Sequence, residues 1–217
     1  PRVLPWIAPA CLLLVFLLQI LPSWVGLYPG GVEAMSGNAW SAAFGNYSPD
    51  SDLKKKTPFI VDENQKPGWS ILTFFYLLLF FPVLVLTIAS VAITMMHIKL
   101  PPQVEQLLPW RWGIVAAANL ILFLFLGLQV LLGFSLDSQY TAWVDKQMKR
   151  EAKDNPTTEQ RKLTEAYRGE KMAVLHHTFW LRLVILLHLV AIGSAVLMFW
   201  INQRGTHRPL PKWELRW

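Results

Sequence analysis

The chain has 217 residues, of which 53% are hydrophobic and 16% are charged, and its mean hydropathy is +0.35. An ordinary soluble domain carries a larger share of charged residues, so the composition excludes that class. The hydrophobic residues are gathered into four long blocks, which also excludes intrinsic disorder, a fibrous repeat and a small disulfide-linked scaffold. The sequence therefore predicts an all-α integral membrane protein.

The formal net charge is +6 and the pI is about 9.6. The basic residues lie beside the apolar blocks, where lipid headgroups are the expected counterions, so the lipid bilayer is a predicted partner and nucleic acid is not. Cys11 is the one cysteine of the sequence. An intramolecular disulfide and a cysteine-based metal site are therefore both excluded.

Four segments are long enough to cross a bilayer as helices, since roughly 20 residues at 1.5 Å each span about 30 Å of hydrocarbon. The apolar part of the first is expected from Leu4 to Leu27, and tryptophans flank all four, as is typical of membrane interfaces. The predicted organisation is a first transmembrane helix at 1–27, an extramembrane cap at 28–68, a second transmembrane helix at 69–98, a short loop at 99–109, a third transmembrane helix at 110–134, an extramembrane helical hairpin at 135–177, a fourth transmembrane helix at 178–201 and a basic tail at 202–217.

Four spans place both termini and the 99–109 loop on one side of the membrane, called side A here, and the cap and hairpin on the other, side B. Side A carries seven basic residues and two acidic ones close to the helix ends, whereas the thirteen basic residues of side B are spread among twelve acidic ones. The positive-inside rule weighs Lys and Arg near helix ends, so it predicts cytoplasmic termini. The expected location is the cell membrane, inner or plasma.

The two segments on side B hold the candidate partner-binding residues. The cap contains Trp40 among Gly, Ser and Asn, a composition typical of a short structured element. In the hairpin, Tyr140, Trp143 and Met148 lie on one helical face, which predicts that the third helix continues out of the membrane. Tyr167 lies on a second helical stripe, expected to run without a break into the fourth transmembrane helix.

Histidine side chains are the candidate haem ligands of this sequence. A haem held by two imidazoles needs histidines at one depth on different helices, and His97, His177 and His188 do not satisfy that condition. We therefore predict no cofactor and no metal. The predicted spans contain no Asp or Glu, which argues against a proton-coupled or cation carrier formed by this chain alone.

A set of polar residues within the spans forms a candidate site inside the bundle: Thr87, Ser90, Asn119 and His188. One interpretation is that they form interhelical hydrogen bonds, each contributing about 1 kcal/mol or less, that fix the packing of the helices. The other is that they line a site for a quinone, a lipid headgroup or a small solute. The sequence leaves both interpretations open.

Catalytic motifs are absent from the sequence, including the Gly-x-Ser-x-Gly elbow, the phosphate-binding Gly-rich loop and His-Glu-x-x-His. We therefore predict no catalytic residues and a non-enzymatic structural or accessory subunit of a membrane complex. It would bind a protein partner or a second copy of itself through the hairpin and the cap. The alternative is a binding or transport protein for a small solute, lipid or quinone. A lipid-acting enzyme using His97 ranks last.

Overall fold

The structure is a computed structural model that describes residues 3–27, 35–49, 68–96, 105–136, 138, 142 and 175–206. Its helices are α1 (Leu4–Ile20), α2 (Ala39–Phe44), α3 (Ile71–Met96), α4 (Arg111–Leu132) and α5 (Phe179–Thr206), with a 3-10 turn (Leu108–Trp110) leading into α4. Its strands are β1 (Val25–Leu27), β2 (Met35–Gly37), β3 (Ser48–Pro49) and β4 (Leu175–His177).

Three helices are long and apolar enough to cross a membrane: α3, α4 with its leading turn, and α5. This confirms the prediction of an integral membrane protein. Helix α1 is also apolar but has 17 residues, which corresponds to about 26 Å at 1.5 Å per residue.

Helix α1 ends at Ile20, so the expectation that the first helix reaches Leu27 is wrong. Pro22 favours an end here, because it has no N–H to donate to the carbonyl of Leu18 and disfavours helical backbone at the preceding residue. The indole Nε1 of Trp24 donates to that carbonyl instead, at 2.7 Å. Beyond this point the chain enters strand β1.

The four long helices pack side by side as a bundle in the cyclic order α1, α3, α4, α5, with α5 closing against α1. Two apolar clusters fill its interior. One contains Leu12, Phe80 and Leu126 and lies towards the strands. The other contains Trp112 and Ala195 and lies towards the opposite end, where the turn before α4 packs against the last turns of α5. Polar side chains separate the two clusters.

The strands form one antiparallel sheet in the order β3-β2-β1-β4. Gly26 of β1 lies opposite Ser36 of β2 on one side and His176 of β4 on the other. The sheet therefore joins the segment that follows α1 to the segment that precedes α5. The all-α prediction did not include it, because strands of two or three residues are too short to show a periodic pattern.

The predicted continuous helix into the fourth span is wrong at 175–177, since these residues pair with β1. Most of the predicted hairpin, including Tyr140, Trp143, Met148 and Tyr167, lies outside the described residues. Residues 28–34 and 50–67 of the cap lie outside them as well.

Candidate functional site

A line of polar side chains crosses the interior of the bundle close to the sheet. Nε2 of Gln19 on α1 donates to the hydroxyl of Tyr76 on α3 at 3.3 Å. The same hydroxyl lies 2.9 Å from Nε2 of His188 on α5. All three side chains are fully buried. We call Gln19, Tyr76 and His188 the polar triad, and it links three of the four long helices.

The hydrogen bonds of the triad are compatible with either tautomer of the imidazole, and one of the two uses the proton of the Tyr76 hydroxyl. A neutral imidazole carries one proton, on either Nδ1 or Nε2. The Tyr76 hydroxyl already accepts from Gln19 and has one proton to donate, so the fully used arrangement has this hydroxyl donating to Nε2 of His188. The proton of His188 then lies on Nδ1, which becomes a hydrogen-bond donor.

Both ends of the triad keep an unused polar atom. Within the described residues, Oε1 of Gln19 and Nδ1 of His188 have no hydrogen-bond partner, although both are buried. An unsatisfied buried polar group costs about 1–3 kcal/mol. Polar groups held within a membrane at such a cost are candidates for function. The triad therefore has an unpaired amide oxygen on the α1 side and an unpaired ring nitrogen on the α5 side, and this nitrogen is a donor when Tyr76 donates to Nε2 of His188.

Trp24 covers the triad from the direction of the sheet. Its ring centroid lies 6.0 Å from that of Tyr76, and its side chain is fully buried. Its backbone is held on both sides, because its N–H donates to Gly37 and its carbonyl accepts from the N–H of Thr178. The sheet and the start of α5 thus set the position of the residue that encloses the triad.

The polar residues predicted from the sequence are buried, but they do not form one hydrogen-bonded site. Thr87, Ser90 and Asn119 each donate to the backbone carbonyl four residues earlier in their own helix, at 2.7–2.9 Å. In the part of the chain that the structure describes, no side-chain hydrogen bond links His188 to any of these three. Of the four predicted residues, His188 makes a hydrogen bond to another helix, through Tyr76, and the other three donate within their own helices.

Thr87, Asn119 and His188 nevertheless share a position in the bundle. On each of their helices they fall between the residues of the two apolar clusters. Oδ1 of Asn119 is buried and has no partner among the described residues. We call Thr87, Asn119 and His188 the polar layer, and two of its buried atoms, Oδ1 of Asn119 and Nδ1 of His188, have no partner among the described residues.

A second interhelical bond lies at the sheet end of the bundle. Oε1 of Gln129 on α4 accepts the backbone N–H of Thr73, at 3.2 Å, and Nε2 of Gln129 donates to the carbonyl of Gly133. Thr73 lies in the first turn of α3, where backbone N–H groups have no partner within the helix. The Gln129 side chain thus supplies hydrogen-bond partners for a backbone N–H at the start of α3 and for a backbone carbonyl just after the end of α4.

Trp40, predicted as a partner-binding residue, is half-buried and packs within the chain. Its ring stacks on Phe44 of α2 and lies 6.4 Å, between centroids, from Phe81 of α3. The Phe44 ring in turn contacts the rings of Trp69 and Phe74 edge-on, at the start of α3. This aromatic cluster holds α2 against the bundle.

No protein-family model, curated protein or solved structure matches this chain. Among the described residues, no group of three or more His, Cys, Asp or Glu side chains could hold a metal ion. Sequence reasoning missed the central member of the triad. The available signal was that Tyr76 is the single tyrosine within the predicted spans, flanked by apolar residues.

Proposed function

We propose that this chain is a non-enzymatic membrane protein with four spans, acting as a structural or accessory subunit of a membrane complex. It binds a protein partner through the segments on side B. The observation that carries the proposal is the pairing of β4 with β1. Because of this pairing, the start of the 28–68 cap and the end of the 135–177 segment adjoin the same sheet.

The contacts around the sheet support a firm base. The hydroxyl of Thr178 donates to the carbonyls of Ser23 and Trp24, at 2.6 and 3.1 Å, next to the β1–β4 pairing. Asn38 donates to the carbonyl of Ile20 at the end of α1, and its side chain also accepts the N–H of Ser41 at the start of α2. Loops displayed on a firm scaffold are a common way to build a binding surface.

The proposal is tested by removing the aromatic residues of the 135–177 segment while keeping its length. The double variant Trp143→Ser, Tyr167→Ser is compared with wild type and with a control, Trp213→Ser with Trp217→Ser, in the 202–217 tail. Each tagged chain is purified in a mild detergent, and the stoichiometry of any bound protein is measured by native mass spectrometry. We expect one partner in fixed stoichiometry with wild type and control, and its loss from the double variant.

Two outcomes contradict the proposal. One is equal retention of the partner by the double variant. The other is a wild-type chain that is monomeric and carries no protein in fixed stoichiometry after extraction from its native membrane. A second copy of the chain as the bound protein agrees with the proposal and identifies the partner.

A second candidate function is binding of a small uncharged molecule in the polar layer. It is supported by the two unused buried atoms there, Oδ1 of Asn119 and Nδ1 of His188. A carbonyl oxygen, such as that of a quinone, accepts from an imidazole N–H. Lipid-soluble compounds extracted from purified wild-type and His188→Leu chains are compared by mass spectrometry. A stoichiometric carbonyl compound found with wild type alone supports this function, and equal amounts with both contradict it.

A further inference from the structure

A cavity of about 350 Å³ lies where α3 begins and α4 ends. This is within the range of about 300–1,000 Å³ typical of small-ligand sites, at its lower limit. It is lined by residues from the start of α3 and from the last turn of α4 and beyond: Gly68, Trp69, Ser70, Ile71, Leu72, Gln129, Leu132, Gly133, Phe134, Ser135 and Ser138. It is separate from the polar triad and from the polar layer.

The polar part of the cavity wall consists of hydroxyls and an amide. The Ser70 hydroxyl donates to the Ser135 hydroxyl and accepts the Ser135 N–H, both at 3.2 Å. The Ser138 hydroxyl donates to the Ser135 carbonyl at 3.0 Å. A serine hydroxyl has two acceptor lone pairs, so Ser138 keeps both and can also turn its proton towards a ligand. Among the described lining residues, none is charged.

The apolar part of the wall continues onto the outer surface of the helices. Trp69, Ile71 and Leu132 line the cavity and are 61%, 63% and 76% exposed. Leu128 and Leu131 extend the same exposed apolar surface along α4. In a membrane helix such a surface faces the acyl chains of lipids. The cavity is therefore open, with a cluster of hydroxyls and an amide on one part of its wall and an apolar part that continues into the region of the lipid tails.

We propose that this cavity binds the uncharged, hydroxyl-bearing headgroup of a membrane lipid, with the acyl chains lying on the exposed surface of α3 and α4. Serine hydroxyls and Gln129 can both donate to and accept from the hydroxyls of a sugar or glycerol headgroup. The described polar groups of the wall are uncharged hydroxyls and an amide, and an uncharged hydroxyl-bearing headgroup can pair with them without leaving a buried charge. The cavity lies at the end of the apolar helices, which is the headgroup level.

The proposal is tested with the whole chain in a mild detergent. It is mixed with equimolar monoglucosyldiacylglycerol, phosphatidylglycerol and phosphatidylcholine that share the same acyl chains, and bound lipids are counted by native mass spectrometry. We expect the glucosyl lipid to be retained at least about threefold more than either phospholipid, from one additional hydrogen bond. Free glucose at the same concentration should not bind, because it lacks acyl chains.

Two variants test the position of the site, each with a matched control. Ser138→Leu replaces an exposed serine at the cavity and is compared with Ser48→Leu, an exposed serine on β3 that does not line it. Trp69→Ala is compared with Trp180→Ala, an exposed tryptophan at the start of α5. Each cavity variant should lower retention of the glucosyl lipid by about three- to tenfold, and each control should leave it unchanged.

The proposal is overturned if wild type retains phosphatidylglycerol best or all three lipids equally. Unchanged retention by both cavity variants overturns it as well. Free glucose binding as well as the lipid overturns the assignment to a membrane lipid. Should Ser138→Leu fail to fold, Trp69→Ala decides the question, with its free energy of unfolding measured beside that of Trp180→Ala, because the Trp69 ring also contacts Phe44 and Phe74.

Discussion

Replacing Tyr76 by Phe removes one oxygen atom and with it both hydrogen bonds of the polar triad. The ring remains, so its contacts with Trp24, Phe80 and the ring of His188 are kept. The change leaves Nε2 of Gln19 and Nε2 of His188 without the hydrogen-bond partner that they share. It therefore isolates the hydrogen-bonding role of the hydroxyl from the packing role of the ring.

The expected loss of stability follows from two opposing considerations. Two buried polar atoms left unsatisfied cost about 1–3 kcal/mol each in a soluble protein. Within a membrane, measured side-chain hydrogen bonds average about 0.6 kcal/mol, because the unfolded chain also finds partners there. For the two bonds of Tyr76 together, the membrane value gives about 1 kcal/mol and the soluble value gives about 2–6 kcal/mol. We therefore expect Tyr76→Phe to lower the free energy of unfolding by about 1–3 kcal/mol.

The free energy of unfolding is measured in detergent micelles for wild type, Tyr76→Phe, His188→Leu and the double variant. If the hydroxyl and the imidazole act through one bond, the double variant loses less stability than the sum of the single losses, by about 0.6 kcal/mol or more. Additive losses, or a Tyr76→Phe chain within about 0.3 kcal/mol of wild type, would refute the triad as an interaction that joins α3 to α5.

Three further substitutions test the surroundings of the site. Gly37→Ala places a Cβ atom 2.5 Å from Cδ1 of Tyr47, so we expect a loss of about 1–3 kcal/mol in the same unfolding measurement, and an unchanged stability would show that the ring moves aside freely. Trp24→Phe keeps an aromatic ring but removes the N–H that binds the last turn of α1. We expect a loss of about 1 kcal/mol and faster amide hydrogen exchange at the end of that helix, and unchanged exchange there contradicts this role. Gln129→Leu leaves the N–H of Thr73 without its partner and should cost about 1–2 kcal/mol, whereas a neutral effect would mean that another group replaces the amide.

The apolar helices were predictable, because a block of more than twenty apolar residues has few other stable structures in a membrane. Helices α3, α4 and α5 confirm this. The end of α1 was harder to predict. Trp24 is apolar and aromatic and so agrees with a longer helix, yet its indole serves as a cap beyond Pro22. That bond depends on the path of the chain between Leu18 and Trp24, which no periodic pattern in the sequence indicates.

The candidate site was predictable only in part, for a similar reason. His188 was identified because it is a titratable residue inside an apolar block, but its partner is on the helix diagonally across the bundle. Only the length of the Tyr76 side chain bridges that distance. Gln19 and Gln129 also bond to residues of another helix, Tyr76 and Thr73 of α3, and no local pattern in the sequence identifies those partners.

The pairing of β1 with β4 has a consequence for biogenesis. A ribosome delivers β4 some 150 residues after β1, since the two strands begin at Leu175 and Val25. Until α5 is inserted, the carbonyl of Trp24 lacks its bond from Thr178, and the Tyr76 hydroxyl lacks His188. Insertion of α5 therefore completes both the sheet and the polar triad, and a nascent chain that stops before α5 would expose unpaired strand edges and buried polar groups to the quality-control proteases of the membrane.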